Sequence, residues 1–233
     1  MRARAESIDC VLFDLDGTLA DTAPDLGYAL NLLRAERGMA PLPIERLRSH
    51  VSHGARGMLE AGLDLRPGDA EFLPLRDRFL EIYEQNLARE SRLFEGMDEL
   101  LDGIEARGLG WGIVTNKAER FAVPLIAALG LARRTGCLIG GDTTGRSKPH
   151  PDPLLAGARA IGVAPAACVY VGDDRRDVEA SIAAGMTPVV ALFGYLYGAD
   201  PHDWGAQWMI AHPVDLLDGL RTGRRPGETA SAP

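Results

Sequence analysis

The sequence predicts an α/β protein built on a parallel sheet, with an all-helical segment inserted after the first strand. Apolar runs with the length and polar boundaries of buried strands recur along the chain. They lie at 8–13, 110–115, 137–140, 167–171 and 187–193. Helical patterns that end at glycine separate the later runs, which is typical of βαβ units and a parallel sheet. The stretch from 20 to 91 shows only helical patterns.

The inserted segment is predicted to hold four helices. The first stops at Gly38, and shorter ones begin near Pro43 and Gly54. A longer helix follows Asp69, where Pro74 either kinks the helix or sets its true start. The apolar faces of the first and last helices consist of Leu26, Ala29, Leu30 and Leu33 and of Phe79, Ile82, Tyr83 and Leu87.

This pattern divides the chain into a core and a cap. The predicted core comprises residues 1–19 and 92–222, and the predicted helical cap comprises residues 20–91. The tail at 223–233 is rich in Gly, Pro, Ser and Ala and is predicted to be disordered. A chain of 233 residues that is 46% hydrophobic can bury a core of this size.

Composition excludes several classes of partner. A formal charge of −8 argues against general nucleic-acid binding, which needs a basic face. No apolar segment reaches the roughly 18 residues that a membrane span needs, and no apolar region of a signal peptide precedes the first strand. Three cysteines without a CxxC pair, Cys10, Cys137 and Cys168, indicate reduced thiols that pack in a cytoplasmic protein. The oligomeric state is not predicted.

Polar side chains follow the predicted strands at four places. These are Asp14 and Asp16, Thr115-Asn116-Lys117, Lys148-Pro149, and Gly172-Asp173-Asp174 with Asp177. The carboxyl ends of parallel strands meet at one rim of the sheet, where open α/β sheets bind ligands. We therefore expect Asp14, Asp16 and Asp173 to surround a cation, with Thr115 and Lys148 opposite.

This arrangement suits phosphoryl transfer from a monoester. Asp14 is the predicted nucleophile, and Asp16 is predicted to protonate the leaving oxygen and later to activate water. Lys148 and the Thr115 hydroxyl are expected to hold the transferring group. Mg²⁺ is the expected metal, because the candidate ligands are hard oxygens and no His or Cys is clustered with them.

The four motifs together resemble those of haloacid-dehalogenase-superfamily phosphatases of the phosphoglycolate-phosphatase type, from residue 8 to about 220. The resemblance implies a Rossmann-like core with a helical cap. It also implies Mg²⁺ ligation by the Asp14 and Asp173 side chains and the Asp16 carbonyl, with Asp177 supporting the metal. Gly17, Thr18 and Asn116 belong to the same motifs and are candidate substrate-binding residues.

Other segments are similar to bacterial N-acetylmuramic acid 6-phosphate phosphatases. They are Gly54-Ala55-Arg56, Leu93 to Met97, Trp111 to Lys117, Gly194-Tyr195 and Trp204-Gly205. This similarity implies a small phosphorylated metabolite as substrate, either N-acetylmuramate 6-phosphate or 2-phosphoglycolate. Arg56 is a candidate substrate-binding residue, because its guanidinium can bind a carboxylate or phosphate in bidentate fashion.

Structural alternatives exist for several of these residues. Thr115 could cap a helix that starts near Ala118, and Asp174 could cap the helix that follows it. Asp177 could be a first-turn acid favoured by the helix dipole, while Lys148 and Arg56 could be solvated. We expect structural roles for His53, His150, Trp204 and Trp208.

Functional alternatives are a sugar-phosphate mutase of the same family and a signalling receiver domain. A receiver domain also uses an aspartate cluster, a threonine, a lysine and Mg²⁺. Receivers place the phosphorylated aspartate after a later strand and lack a large helical insertion. A dehalogenase would not need the second acid at Asp16, and a silent binding module would not need a carboxylate there.

Overall fold

The computed structural model describes residues 8–198 and 200–222. In chain order its strands are β1 (Cys10–Phe13), β2 (Ala20–Asp21), β3 (Arg92–Leu93), β4 (Gly110–Val114), β5 (Leu138–Ile139), β6 (Cys168–Gly172), β7 (Thr187–Ala191) and β8 (Trp208–Ile210). Six of them form one parallel sheet in the order β5-β4-β1-β6-β7-β8. The predicted α/β class with a Rossmann-like parallel sheet is confirmed.

Helices cover both faces of this sheet. The α-helices of the described residues are, in chain order, α1 (Ala23–Glu36), α2 (Gly54–Leu63), α3 (Phe72–Gln85), α4 (Met97–Ala106), α5 (Glu119–Ala128), α6 (Asp152–Ile161), α7 (Arg175–Ala184) and α8 (Asp215–Thr222). Side chains of α4, α5 and α8 pack on one face, and side chains of α6 and α7 pack on the other.

The central strand β1 shows why this run of residues folds as a strand. Successive side chains of a strand point to opposite faces. Val11 and Phe13 accordingly join the core under α4, α5 and α8, whereas Cys10 and Leu12 join the core under α6 and α7. All four residues are fully buried, as expected for a strand inside a parallel sheet that is covered on both faces.

The order of the strands reverses at β1. The chain adds β4 and β5 on one side of β1 and then crosses to β6, β7 and β8 on the other side. Ligands of open α/β sheets bind beyond the carboxyl ends of the strands at such a reversal. This is where β1 and β6 deliver Asp14 and Asp173.

The segment containing α1, α2 and α3 forms a helical insertion with its own apolar core. Leu30, Met58, Phe79 and Tyr83 belong to that core, and Phe121 packs against it from the sheet domain. The antiparallel pair β2–β3 lies where the chain enters and leaves the insertion. The exact division at residues 20 and 91 stays a prediction, and the tail 223–233 lies outside the described residues.

Some elements differ from the sequence prediction. The strands β2 and β3 have only two residues each, too few to show a pattern, and the edge strand β8 was not predicted. Leu87 lies beyond α3, which ends at Gln85. Pro74 occupies the first turn of α3, where its missing N–H leaves no helical hydrogen bond unmade. The helix expected near Pro43 is a short 3₁₀ helix, Ile44–Arg46.

The cysteines and tryptophans have the packing roles that were predicted. Cys10 and Cys168 are buried, Cys137 is half-buried, and all three are free thiols. Trp204 and Trp208 are buried. Across the described ranges, no helix combines the length and the apolar character required to cross a membrane. A cytoplasmic location stays a prediction.

Candidate active site

Asp14 lies directly after β1 at the rim of the sheet. Its backbone N–H donates to the Val171 carbonyl at 2.9 Å, which fixes the residue next to β6. Its Oδ1 atom accepts a hydrogen bond from the Leu15 N–H at 2.8 Å and lies 2.9 Å from the Lys148 ammonium. Burial raises the pKa of Asp14 to about 6, and the charge of Lys148 only partly offsets this effect.

Lys148 joins two carboxylates. Its buried Nζ atom lies 2.9 Å from Asp14 Oδ1 and 2.8 Å from Asp177 Oδ1, and it donates to the Tyr170 hydroxyl at 2.8 Å. Burial alone would lower the pKa of Lys148, but the two carboxylates reverse that effect and raise it. The solvated alternative for Lys148 is therefore wrong.

Asn116 holds the backbone of the lysine loop. Its side-chain amide donates to the Lys148 carbonyl and accepts from the Lys148 N–H, both at 3.0 Å. Asn116 also lines a cavity between the rim and the helical insertion. Substrate binding by Asn116 stays a prediction, whereas its contacts show that it positions Lys148.

Asp173 and Asp177 follow β6. Asp173 is fully buried and accepts hydrogen bonds from the Thr18 hydroxyl at 3.0 Å and the Tyr195 N–H at 2.9 Å. Burial, with the nearby Asp14 and Asp177 charges, raises the pKa of Asp173 well above its usual range. A buried carboxylate surrounded by like charges calls for a compensating cation.

The carboxylates of Asp14, Asp173 and Asp177 converge. One oxygen from each lies within 4.8 Å of the others. Asp16 was also predicted as a ligand, but its side chain faces elsewhere: Oδ1 accepts from the Thr22 hydroxyl at 2.5 Å and from the Lys117 ammonium at 2.8 Å. Ligation through the Asp16 backbone carbonyl stays a prediction.

Gly17 and Thr18 shape the acid cluster. Gly17 has φ +84°, and a Cβ atom there would lie 2.2 Å from Asp173 Oδ2. Only glycine tolerates both this left-handed conformation and this close approach. Because the Thr18 hydroxyl also binds Asp173, both residues support that carboxylate, and their predicted role in substrate binding stays a prediction.

Thr115 is buried at the end of β4. Its hydroxyl oxygen accepts from the Lys117 N–H at 3.1 Å. The residue that caps α5 is Ala118, so the alternative of Thr115 as helix cap is wrong. Among the described residues no acceptor takes its hydroxyl proton, which leaves that proton for a ligand oxygen.

Asp174 does cap a helix. Its side chain accepts from the Arg176 N–H, and Asp177 completes a capping box by accepting from the Asp174 N–H. Burial opposes ionisation of Asp174, but hydrogen bonds from His53 and Arg176 hold its pKa below the usual range. Asp177 therefore serves both the cap and Lys148.

A cavity of about 400 Å³ lies between this rim and the helical insertion. Its walls include Asp14, Asp16, Ser52, His53, Gly54, Ala55, Tyr83, Thr115, Asn116, Lys117, Arg120 and Arg176. Arg56 is exposed and lies outside these walls, which argues against its predicted contact with substrate. Helix α2 begins at Gly54, so Ala55 rather than Arg56 lines the cavity.

The insertion touches the rim through residues that the sequence analysis did not select. The Arg176 guanidinium donates to the Ser52 carbonyl at 2.7 Å, and the Ser52 hydroxyl donates to Asp173 at 3.2 Å. His53 Nε2 lies 3.4 Å from Asp174 Oδ2, in keeping with a structural role for that histidine. No local pattern marks these contacts, because they depend on how the insertion packs against the core.

The fold and the site together define a class of protein. It has a Rossmann-like domain, a helical insertion, and a cluster of carboxylates with a lysine at the carboxyl ends of the strands. Residues 11–191 match the family of haloacid dehalogenase-like hydrolases, and the chain belongs to that family. It is an enzyme of the phosphatase class, since its relatives in this family are phosphatases.

Two relatives and one solved structure illustrate the similarity. The N-acetylmuramic acid 6-phosphate phosphatase of Pseudomonas aeruginosa is 42% identical over 91% of this chain and 95% of its own length. The phosphoglycolate phosphatase of Xanthomonas campestris is 46% identical over 89% of this chain and 94% of its own length. The crystal structure of a predicted phosphoglycolate phosphatase from Haemophilus somnus superposes with a TM-score of 0.80 at 26% identity, over 91% and 97% of the two chains.

Proposed function

We propose that this protein is a Mg²⁺-dependent phosphomonoesterase that works through an aspartyl-phosphate on Asp14. The observation that carries the proposal is the position of Asp14, which lies in the acid cluster and at the cavity wall at once. Its Oδ1 atom is held by Leu15 and Lys148. The second carboxylate oxygen is then left to attack phosphorus.

The acid cluster suits a divalent cation. The Lys148 ammonium pairs with Asp14 and Asp177, and the third carboxylate, that of Asp173, has no cationic partner among the described residues. Hard oxygen donors at this density favour Mg²⁺ over softer metals. When bound, Mg²⁺ would neutralise charge on the phosphoryl group and on the carboxylates that hold it.

The reaction then proceeds in two steps. An Asp14 oxygen forms a bond to phosphorus while the bond from phosphorus to the ester oxygen breaks, and Asp16 gives its proton to that leaving oxygen. Water next attacks phosphorus, Asp16 takes a proton from it, and the bond to Asp14 breaks. Lys148 and the Thr115 hydroxyl stabilise charge on the phosphoryl oxygens.

The substrate we propose is a small phosphorylated metabolite, with N-acetylmuramate 6-phosphate first and 2-phosphoglycolate second. The names of the relatives support both. A cavity of about 400 Å³ lies within the usual size range of small-molecule sites and leaves room for a sugar phosphate. A two-carbon acid phosphate would leave much of that space to water.

Phosphate release from a panel of esters tests the proposal. The panel contains N-acetylmuramate 6-phosphate, 2-phosphoglycolate and hexose phosphates, each with Mg²⁺ and with EDTA. We expect Mg²⁺-dependent release that Asp14→Asn abolishes while the fold survives. Turnover by pure Asp14→Asn protein would overturn the role of Asp14.

Single-turnover experiments separate hydrolysis from the alternatives. A phosphatase releases free phosphate, whereas a mutase returns the phosphoryl group to its product. A phosphoprotein that decays slowly without multiple turnover would instead indicate a receiver domain. The family match already weakens that last alternative, because the matched family is one of hydrolases.

A further inference from the structure

Lysine is very rare in this chain. The sequence contains 25 cationic Lys and Arg residues, and only Lys117 and Lys148 among them are lysines. Both lie in the candidate active site, each with its ammonium against an aspartate. Both lysine ammonium groups therefore contact a candidate catalytic carboxylate, and every other cationic side chain among the 25 is an arginine.

Lys117 takes no part in the proposed two-step reaction, yet its side chain is fixed in the site. Its side chain is 7% exposed and its Nζ atom lies 2.8 Å from Asp16 Oδ1. The same ammonium stands 4.9 Å from the centre of the Tyr83 ring. Its backbone is fixed as well, because its carbonyl accepts from the Gly141 N–H at 2.8 Å and its N–H donates to Thr115.

The side-chain hydrogen bonds of Asp16 all reach one of its two carboxylate oxygens. Thr22 and Lys117 both donate to Oδ1, and among the described residues no side-chain hydrogen bond reaches Oδ2. Asp16 also lines the cavity. A carboxylate with one saturated oxygen has a fixed rotation, and its other oxygen is left for a substrate atom.

We propose that Lys117 is a positioning residue that holds Asp16 Oδ1, so that Oδ2 exchanges the proton with the leaving oxygen. This inference rests on the proposed function, in which Asp16 is the proton donor. As the bond from phosphorus to the ester oxygen breaks, its electron pair stays on that oxygen and the proton on Oδ2 moves there. The carboxylate left behind keeps its ion pair with Lys117.

The leaving group provides the test, because only a poor leaving group needs the proton. 4-Nitrophenyl phosphate loses a stable phenolate, whereas an alkyl phosphate from the panel above loses an alkoxide. We compare kcat/KM for the two esters in the wild type and in Lys117→Met, with Mg²⁺ present. The alkyl-to-aryl ratio should fall about 100-fold in the variant, the lower end of what general acid catalysis contributes.

An equal loss on both esters would overturn the proposal, since a general disturbance of the site makes no distinction between leaving groups. Arg133→Met is the control: Arg133 is exposed and lies outside the cavity walls, so the loss of its charge should keep the wild-type ratio. Lys117→Arg should fail to restore the ratio, and a wild-type ratio there would contradict the need for a compact ammonium.

Two further arms keep the test decisive. If thermal unfolding shows that Lys117→Met does not fold, Thr22→Val removes the other donor to Oδ1, and it should lower the ratio in the same direction. An unchanged ratio in folded Thr22→Val would then overturn the proposal. Wild-type protein that releases phosphate from no ester would refute the proposed function itself, before any variant is compared.

Discussion

Asp14→Asn should stabilise the metal-free protein at neutral pH while it removes activity. The pKa of Asp14 in the folded protein is about 6, against 3.8 for a solvent-exposed aspartate in the unfolded chain. The folded state therefore binds this proton more tightly than the unfolded state does. By linkage, the contribution of Asp14 to the free energy of unfolding falls as pH rises from about 4 to about 6. Above that range this contribution is fully lost.

The size of the effect follows from the shift. A difference of about two pKa units corresponds to about 3 kcal/mol, at about 1.36 kcal/mol per unit. For a chain of this length, about 3 kcal/mol is roughly 6 to 12 °C in Tm. Because asparagine carries no charge, the variant avoids this loss and keeps nearly the same shape.

The assay is thermal unfolding of wild type and Asp14→Asn in EDTA, from pH 4 to pH 7.5. The difference in Tm between the two isolates Asp14 from every other group that titrates, and it should grow across this range in favour of the variant. Adding Mg²⁺ at pH 7.5 should raise the Tm of the wild type more than that of the variant, because the variant lacks one carboxylate charge of the proposed metal site. A variant that is no more stable than the wild type at pH 7.5 in EDTA would refute the reasoning.

Two other substitutions test the surroundings of the site. Gly17→Ala places Cβ 2.2 Å from Asp173 Oδ2 at a φ of +84° and should reduce the rise in Tm that Mg²⁺ produces. Gly130→Ala is its control, since it shares a positive φ of +76° but has nothing within 4 Å, and an equal Mg²⁺ response in both would contradict this account. Arg56→Ala should change the kcat/KM ratio between N-acetylmuramate 6-phosphate and 2-phosphoglycolate by less than about twofold, because the side chain is exposed and lies outside the cavity walls. A larger change in that ratio would show that Arg56 contacts the substrate.

The rim of the site was predictable because strand ends converge. Asp14, Thr115 and Asp173 each follow an apolar run directly, so a parallel sheet brings them together whatever the helices do. Lys148 lies in a loop, and its place depends on the Asn116 amide, a contact that spacing along the chain does not show. The strand pattern therefore predicts the carboxylates better than the lysine that pairs with them.

The cavity walls were not predictable to the same degree. Arg56 was selected for its chemistry, yet the turn into α2 at Gly54 leaves it exposed. Arg176 was passed over, although it binds both Asp174 and the Ser52 carbonyl. Which side of a short helix faces a ligand depends on packing between the insertion and the core, and hydrophobic periodicity contains little of that information.

Tyr195 shows how the acid cluster and the insertion are joined. Its backbone N–H donates to Asp173 Oδ2 at 2.9 Å. Its hydroxyl accepts from the N–H groups of Thr22 and Ala23, at the start of α1, and donates to Asp21 at 3.0 Å. One residue thus fixes a carboxylate of the proposed metal site and satisfies the first free N–H groups of the insertion. A displacement of α1 must therefore break these hydrogen bonds or move the loop that holds Asp173, so the insertion and the metal site cannot rearrange independently.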